Sequence, residues 1–142
     1  MRKITIIAFG IIMLTLIAAK NPGDKTPDKT GINYNSGTWN EILALAQKEN
    51  KPIFLEISAS WCGSCKRMKA NVYTDTEVAK YYNSTFINIS VDAEKGKGIE
   101  LARKYGVKGY PTLVFINPDG SLTKKTAGFH SPEKFLELGK SL

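Results

Sequence analysis

The chain has two cysteines, Cys62 and Cys65, both in the stretch SWCGSCK at 60–66. A pair separated by two residues has three chemical uses. It can cycle between dithiol and disulfide, supply two ligands of a metal site, or close a small structural loop. As a staple it is weak, because a loop this short is worth only about 2 kcal/mol in the chain-entropy model. A zinc site needs four ligands, usually further cysteines or histidines. The chain offers one histidine, His130, and no third cysteine.

A redox pair needs two thiols with unequal roles, and the surrounding pattern supplies the means. The apolar run PIFLEIS (52–58) reads as a buried strand, and KRMKANV continues a helix to about Asn71. Cys62 then stands at the amino terminus of a helix, beside unpaired N–H groups and the positive end of the dipole. Both favour thiolate over thiol, and Lys66 and Arg67 add positive charge. Cys62 is therefore the expected nucleophile. Cys65, one turn further in and more buried, is expected to resolve the mixed disulfide that Cys62 forms.

The elements that must hold this pair alternate along the chain. Thr38 and Glu41 form a capping box ahead of a helix whose apolar face carries Trp39, Ile42, Leu43, Leu45 and Ala46. Thr74 and Glu77 repeat the T-x-x-E pattern and predict a helical turn or two through Tyr82. TFINISVD (85–92) reads as a strand, and EKGKGIELARKYG (94–106) as helical in its second half. PTLVFI (111–116) is a strand, NPDG (117–120) a turn, and SLTKKTA (121–127) the returning hairpin strand. Ser131, Pro132 and Glu133 open a last helix. The two middle strands, joined through helices, are expected to run parallel, and the final hairpin pair antiparallel. The fold class is α/β, a central mixed sheet flanked by helices on both faces.

Composition bounds the setting. One domain is expected from 142 residues, and 42% hydrophobic with 23% charged residues fits a soluble globular body. The net charge of +7 is spread along the chain. No basic run with interleaved aromatics is present, so no nucleic-acid partner is expected. The amino terminus differs: Arg2 and Lys3 precede an uncharged stretch from Ile4 to Ala19. As a helix this stretch rises only about 24 Å, short of the ~30 Å hydrocarbon core. It reads as a signal peptide (1–19) cut near Ala19, with Ile17 bulky for position −3. An uncleaved membrane anchor is the alternative. Residues 20–37, rich in Pro, Gly, Lys, Asp and Thr, read as a linker with a short edge strand at 32–34, and 38–142 as the folded domain. Export implies an oxidising compartment, where disulfides persist.

With these residues in hand the chain resembles the thioredoxin family. WCGSCK after a hydrophobic strand, with YPT some fifty residues later and YGVKGYPTLVFINPDG around it, is similar to thioredoxin over roughly Trp39 to Leu142. The KANVYTDTEVAKYY region looks more like the carboxy-terminal, periplasmic thioredoxin-like domain of the membrane thiol:disulfide interchange reductases. The resemblance implies a thioredoxin fold and further site residues. Pro111 falls at the family's cis-proline, which exposes the backbone of the preceding residue, here Tyr110, to an extended substrate. Glu56 falls at the buried acid, five residues before Trp61, where a desolvated carboxyl exchanges a proton with Cys65. Trp61 is expected on the docking surface. Three positions depart from the family: Gly63–Ser64 stand between the cysteines instead of Gly–Pro, Tyr110 replaces a small aliphatic, and Asn88 stands where a lysine often neighbours the buried acid.

What the resemblance implies is an exported, periplasmic protein-disulfide reductase with catalytic Cys62, Cys65 and Glu56 and substrate-binding Trp61, Tyr110 and Pro111. Its expected partners are disulfide-containing protein substrates and a membrane-embedded thiol electron donor. It is expected to be a monomer with no metal and no cofactor beyond its own disulfide. A disulfide oxidase or isomerase, and a non-catalytic binding module, are the competing readings.

Overall fold

Four strands and five helices follow one another through residues 30–142, the part of the chain that the computed structural model describes. The expected signal peptide, 1–19, and residues 20–29 of the expected linker lie outside the described residues. The order is α1 (Trp39–Glu49), β1 (Ile53–Ser58), α2 (Gly63–Asn71), α3 (Thr76–Thr85), β2 (Ile87–Asp92), α4 (Lys97–Lys104), β3 (Thr112–Ile116), β4 (Leu122–Ala127) and α5 (Pro132–Lys140). Among these residues no helix is long and apolar enough to cross a membrane.

Local chemistry sets the helix starts. Thr38 and Glu41 make the capping box that opens α1, and the Ser131 side chain caps α5 with Pro132 at its start. The second T-x-x-E does not cap α3. Asp75 does, accepting from the backbone N–H of Glu77 and Val78, both at 3.0 Å. Thr74 instead donates to the Ala70 carbonyl at 2.6 Å. A carboxylate one position nearer the helix takes two orphan donors at once, so it wins the cap.

The sheet order is β2-β1-β3-β4. β1 and β2 pair in parallel, as expected of strands joined through helices. β3, although joined to β2 through α4, runs antiparallel to β1 and so to β2, which overturns the expectation that the two middle strands run parallel. The reason is where the connection brings the chain back. After α4, residues 105–111 return the chain to the end of the sheet where β1 and β2 both finish, so Thr112 pairs with Ile57 and β3 runs back the other way. Pro111 is thereby delivered to the end of the sheet that also carries the cysteines. β3 and β4 form the expected hairpin.

All six residues of β1 are buried, which fits a strand covered on both faces. Ile53, Leu55 and Ile57 pack with Ile42 and Ala46 of α1 and Leu101 of α4. Phe54 points the other way, into Met68, Tyr82 and Phe135 of α2, α3 and α5. There Tyr82 stacks on Phe135 with ring centroids 4.3 Å apart. Residues 32–34 form no strand. The N–H of Ile32 goes to Tyr73, that of Asn33 to the Asn83 side chain, and that of Asn35 to the Asn88 carbonyl. These three partners lie on different elements, so no ladder forms. Gly98 at the start of α4 is packed so tightly on the Asp92 carbonyl that a Cβ there would collide with it.

Candidate active site

β1 ends at Ser58, and the chain turns through Ala59–Trp61 with the Cys62 N–H donating to the Ala59 carbonyl at 3.1 Å. This turn makes Cys62 the N-cap residue of α2. Its sulfur sits where a capping oxygen would, accepting from the Cys65 N–H at 3.2 Å. Cys62 and Cys65 are joined as a disulfide, with relative exposures of 5% and 1%. The more accessible sulfur is thus the one held at the positive end of a helix, the environment that stabilises a thiolate.

Tyr110 completes the wall on the other side. It packs on Ala59, Cys62 and Cys65, and its peptide bond to Pro111 is cis. Trp61 meets the Tyr110 ring edge to face at 5.6 Å, yet remains 65% exposed. Its indole N–H donates to Glu94 at 3.0 Å, which ties the ring to the turn after β2. Ser64 bridges the two halves. Its hydroxyl donates to the Tyr110 carbonyl at 3.2 Å and lies 3.3 Å from the Cys62 sulfur. Further along α2, the Arg67 guanidinium stacks over the exposed ring of Phe129 at 4.4 Å.

Glu56 lies on β1, fully buried. By alternation it shares the face of Phe54, the side covered by α2. Burial pushes its carboxyl above the usual range, while a hydrogen bond from Ser90 and the charge of Lys69 pull it back in part. Lys69 extends from α2, one turn beyond Cys65, and donates to the Ser58 hydroxyl at 3.3 Å. The acid is therefore tied electrostatically to the helix that carries the disulfide.

The structure gathers Cys62, Cys65, Trp61, Tyr110 and Pro111 at one end of the sheet, with Glu56 on the strand that leads there. Two neighbours, Glu94 and Phe129, escaped the sequence reading, and Arg67 entered it only as a nearby charge. Ser64 stood out only as a departure from the family dipeptide. Glu94, Arg67 and Phe129 carry no motif, because their contacts join segments far apart in the chain. Among the described residues no group of three or more His, Cys, Asp or Glu side chains forms a metal site.

A family model described as a thioredoxin-like domain matches residues 39–142. Among curated proteins the chain is similar to the thiol:disulfide interchange protein DsbD of Neisseria meningitidis, 34% identical over 95 residues, which is 66% of this chain and 16% of that protein. It is also similar to the protein disulfide isomerase-like 2-2 of rice, 42% identical over 73 residues, 51% of this chain and 19% of the relative. The chain thus spans less than a fifth of the length of these relatives. Among solved structures, a candidate disulphide-isomerase from Bacteroides thetaiotaomicron superposes with a TM-score of 0.69 at 40% identity, covering 78% of this chain and 94% of that one. The oxidised carboxy-terminal domain of Neisseria meningitidis DsbD gives 0.62 at 29% identity, covering 78% and 98%.

Proposed function

The chain belongs to the thioredoxin-like family, and from that premise we propose that it is an exported protein-disulfide reductase of the cell envelope. The observation that carries the reading is the Cys62 sulfur held as the N-cap of α2 with Tyr110 packed against it. In the dithiol state the Cys62 thiolate attacks one sulfur of a substrate disulfide. The substrate S–S bond breaks, a Cys62–substrate disulfide forms, and one substrate thiolate leaves and is protonated by solvent. Glu56 takes the proton of Cys65, directly or through solvent, and Cys65 attacks the Cys62 sulfur. The second substrate thiolate leaves, and the protein is left oxidised. Two electrons have passed to the substrate, and a membrane-embedded dithiol donor returns them. Trp61, Tyr110 and Pro111 form the surface on which an extended substrate segment docks.

The second reading, an oxidase or isomerase, has support in the similarity to the Bacteroides thetaiotaomicron candidate disulphide-isomerase. The reduction potential of the Cys62–Cys65 pair, measured by equilibration with glutathione or dithiothreitol, separates the two. The reductase reading expects a value near the roughly −270 mV of thioredoxin, and a value near roughly −120 mV would reverse the direction of electron flow.

A further inference from the structure

Ser64 occupies a position from which one hydroxyl proton has two acceptors. The Tyr110 carbonyl is 3.2 Å away and the Cys62 sulfur 3.3 Å. A hydroxyl carries a single proton and donates to one acceptor at a time. With Cys62 and Cys65 joined as a disulfide, the sulfur is a weak acceptor and the carbonyl takes the proton. In the thiolate form Cys62 bears a full negative charge, and a charge-assisted bond to it outcompetes a neutral one.

The Tyr110 carbonyl matters because it is uncommitted backbone. The ladders of β3 begin at Thr112, so neither neighbouring strand pairs with Tyr110. An extended peptide laid beside Tyr110 would offer its N–H to that carbonyl, in the manner of strand addition.

We infer that the Ser64 hydroxyl is a redox-dependent switch: it occupies the Tyr110 carbonyl in the disulfide state and turns to Cys62 in the thiolate state. The carbonyl has two lone pairs, so an incoming peptide meets an unshared, stronger acceptor while the protein carries electrons and a shared one when it does not. This rests on the reductase reading for its purpose. Reduced protein admits a disulfide substrate, and the oxidised protein left after turnover reclaims the carbonyl and helps expel the product. Setting the switch involves no covalent step of its own. An external dithiol gives two electrons and two protons to the Cys62–Cys65 pair and leaves as its own disulfide. Cys62 then loses its proton to solvent, and the Ser64 O–H rotates.

The sequence provides a direct probe, since Tyr110–Pro111 is the only Tyr–Pro pair in the chain. Labelling with carbonyl-¹³C tyrosine and ¹⁵N proline isolates the Tyr110 carbonyl as one resonance. In the unmodified protein it moves upfield on reduction with dithiothreitol at pH 8, and moves back when the reduced protein is acidified enough to protonate Cys62. In Ser64→Ala it sits upfield already in the oxidised protein and does not follow the redox state. Ser64→Thr, which keeps the hydroxyl, behaves as the unmodified protein. The same Ala variant, reduced, is alkylated by iodoacetamide at Cys62 about tenfold more slowly at pH 6, having lost a donor to the thiolate. A carbonyl resonance that is indifferent to redox state in the unmodified protein, or a Ser64→Ala variant that tracks it, overturns the switch. Reduction of insulin by the unmodified protein tests the reductase reading separately, since neither the carbonyl shift nor the alkylation rate depends on the direction of electron flow.

Discussion

The Ser90 hydroxyl donates to the carboxylate of Glu56 across the β1–β2 pair, where the two residues stand in register. Asn88, the family-derived neighbour of the acid, pairs instead with Phe54 and turns its amide to the Tyr82 carbonyl at 3.1 Å. The positive charge felt by Glu56 comes from Lys69 on α2, not from the neighbouring strand.

Glu56 should make the fold pH-dependent. Burial raises its folded pKa above the ordinary value of 4.5. Between these two values the folded state binds more protons than the unfolded one, so the group's contribution falls as pH rises through that window. Glu56→Gln removes the ionisation and retains a side chain able to meet Ser90. Its melting temperature relative to the unmodified protein should therefore rise with pH above about 4.5 and level off beyond the folded pKa. Thermal melts of the oxidised proteins from pH 4 to 9 check this, and parallel curves would remove Glu56 as a buried titrating acid.

Lys69 should set where that window ends. Lys69→Met deletes the cation that holds the Glu56 carboxyl down, so the folded pKa climbs further. The pH profile for resolution of the mixed disulfide moves to higher pH, while Cys62 alkylation is little changed. Stopped-flow resolution rates against pH provide the measurement.

The two cysteines should fail differently. Cys62→Ser abolishes disulfide reduction, because the remaining thiol, Cys65, is the more buried of the two and lacks the N-cap position. Cys65→Ser still attacks but cannot resolve, and it accumulates mixed disulfides visible on non-reducing gels. Full turnover by the Cys62 variant would falsify the assigned order of attack.

Trp61 is held by an edge-to-face contact with Tyr110 and a hydrogen bond to Glu94 while exposing most of its ring. An exposed, immobilised aromatic beside a reactive disulfide suits protein docking. Trp61→Ala should lower kcat/KM for a protein disulfide about tenfold, the loss expected from one interfacial aromatic. Reduction of the Cys62–Cys65 pair by dithiothreitol should be nearly unchanged. Equal losses with both partners would make Trp61 a packing residue.

Much of this arrangement was legible in the order of residues. PIFLEIS and SWCGSCK announce a buried strand leading into a capped helix, because continuous burial and the N-cap position are local properties. Asp75 was overlooked since T-x-x-E at Thr74 matched a template, and only the three-dimensional turn shows which side chain reaches the free N–H groups. The reversal of β3 was hidden for a different cause. Strand direction depends on where residues 105–111 return the chain, and no periodicity encodes that. Ser64, Glu94, Arg67 and Phe129 matter through contacts spanning tens of residues, which spacing along a chain cannot reveal.

Gly98 should tolerate no side chain. A Cβ there meets the Asp92 carbonyl, so Gly98→Ala forces α4 away from β2 at a cost of about 2–3 kcal/mol. The same shift disturbs the turn bearing Glu94 and frees Trp61. Denaturant melts and tryptophan fluorescence anisotropy should change together.

The margins of the sheet have a consequence for where another chain can join it. On the outer side of β2, Asn35 already bonds the Asn88 carbonyl through its backbone and its side chain. On the outer side of β4, Lys124 and Lys125 stand along an exposed strand, and lysines at a sheet margin discourage self-association. A sheet with two long margins must avoid collecting extended segments of other chains indiscriminately. This one guards its long margins and leaves the backbone of Tyr110, which packs on the two cysteines, outside the strand ladders.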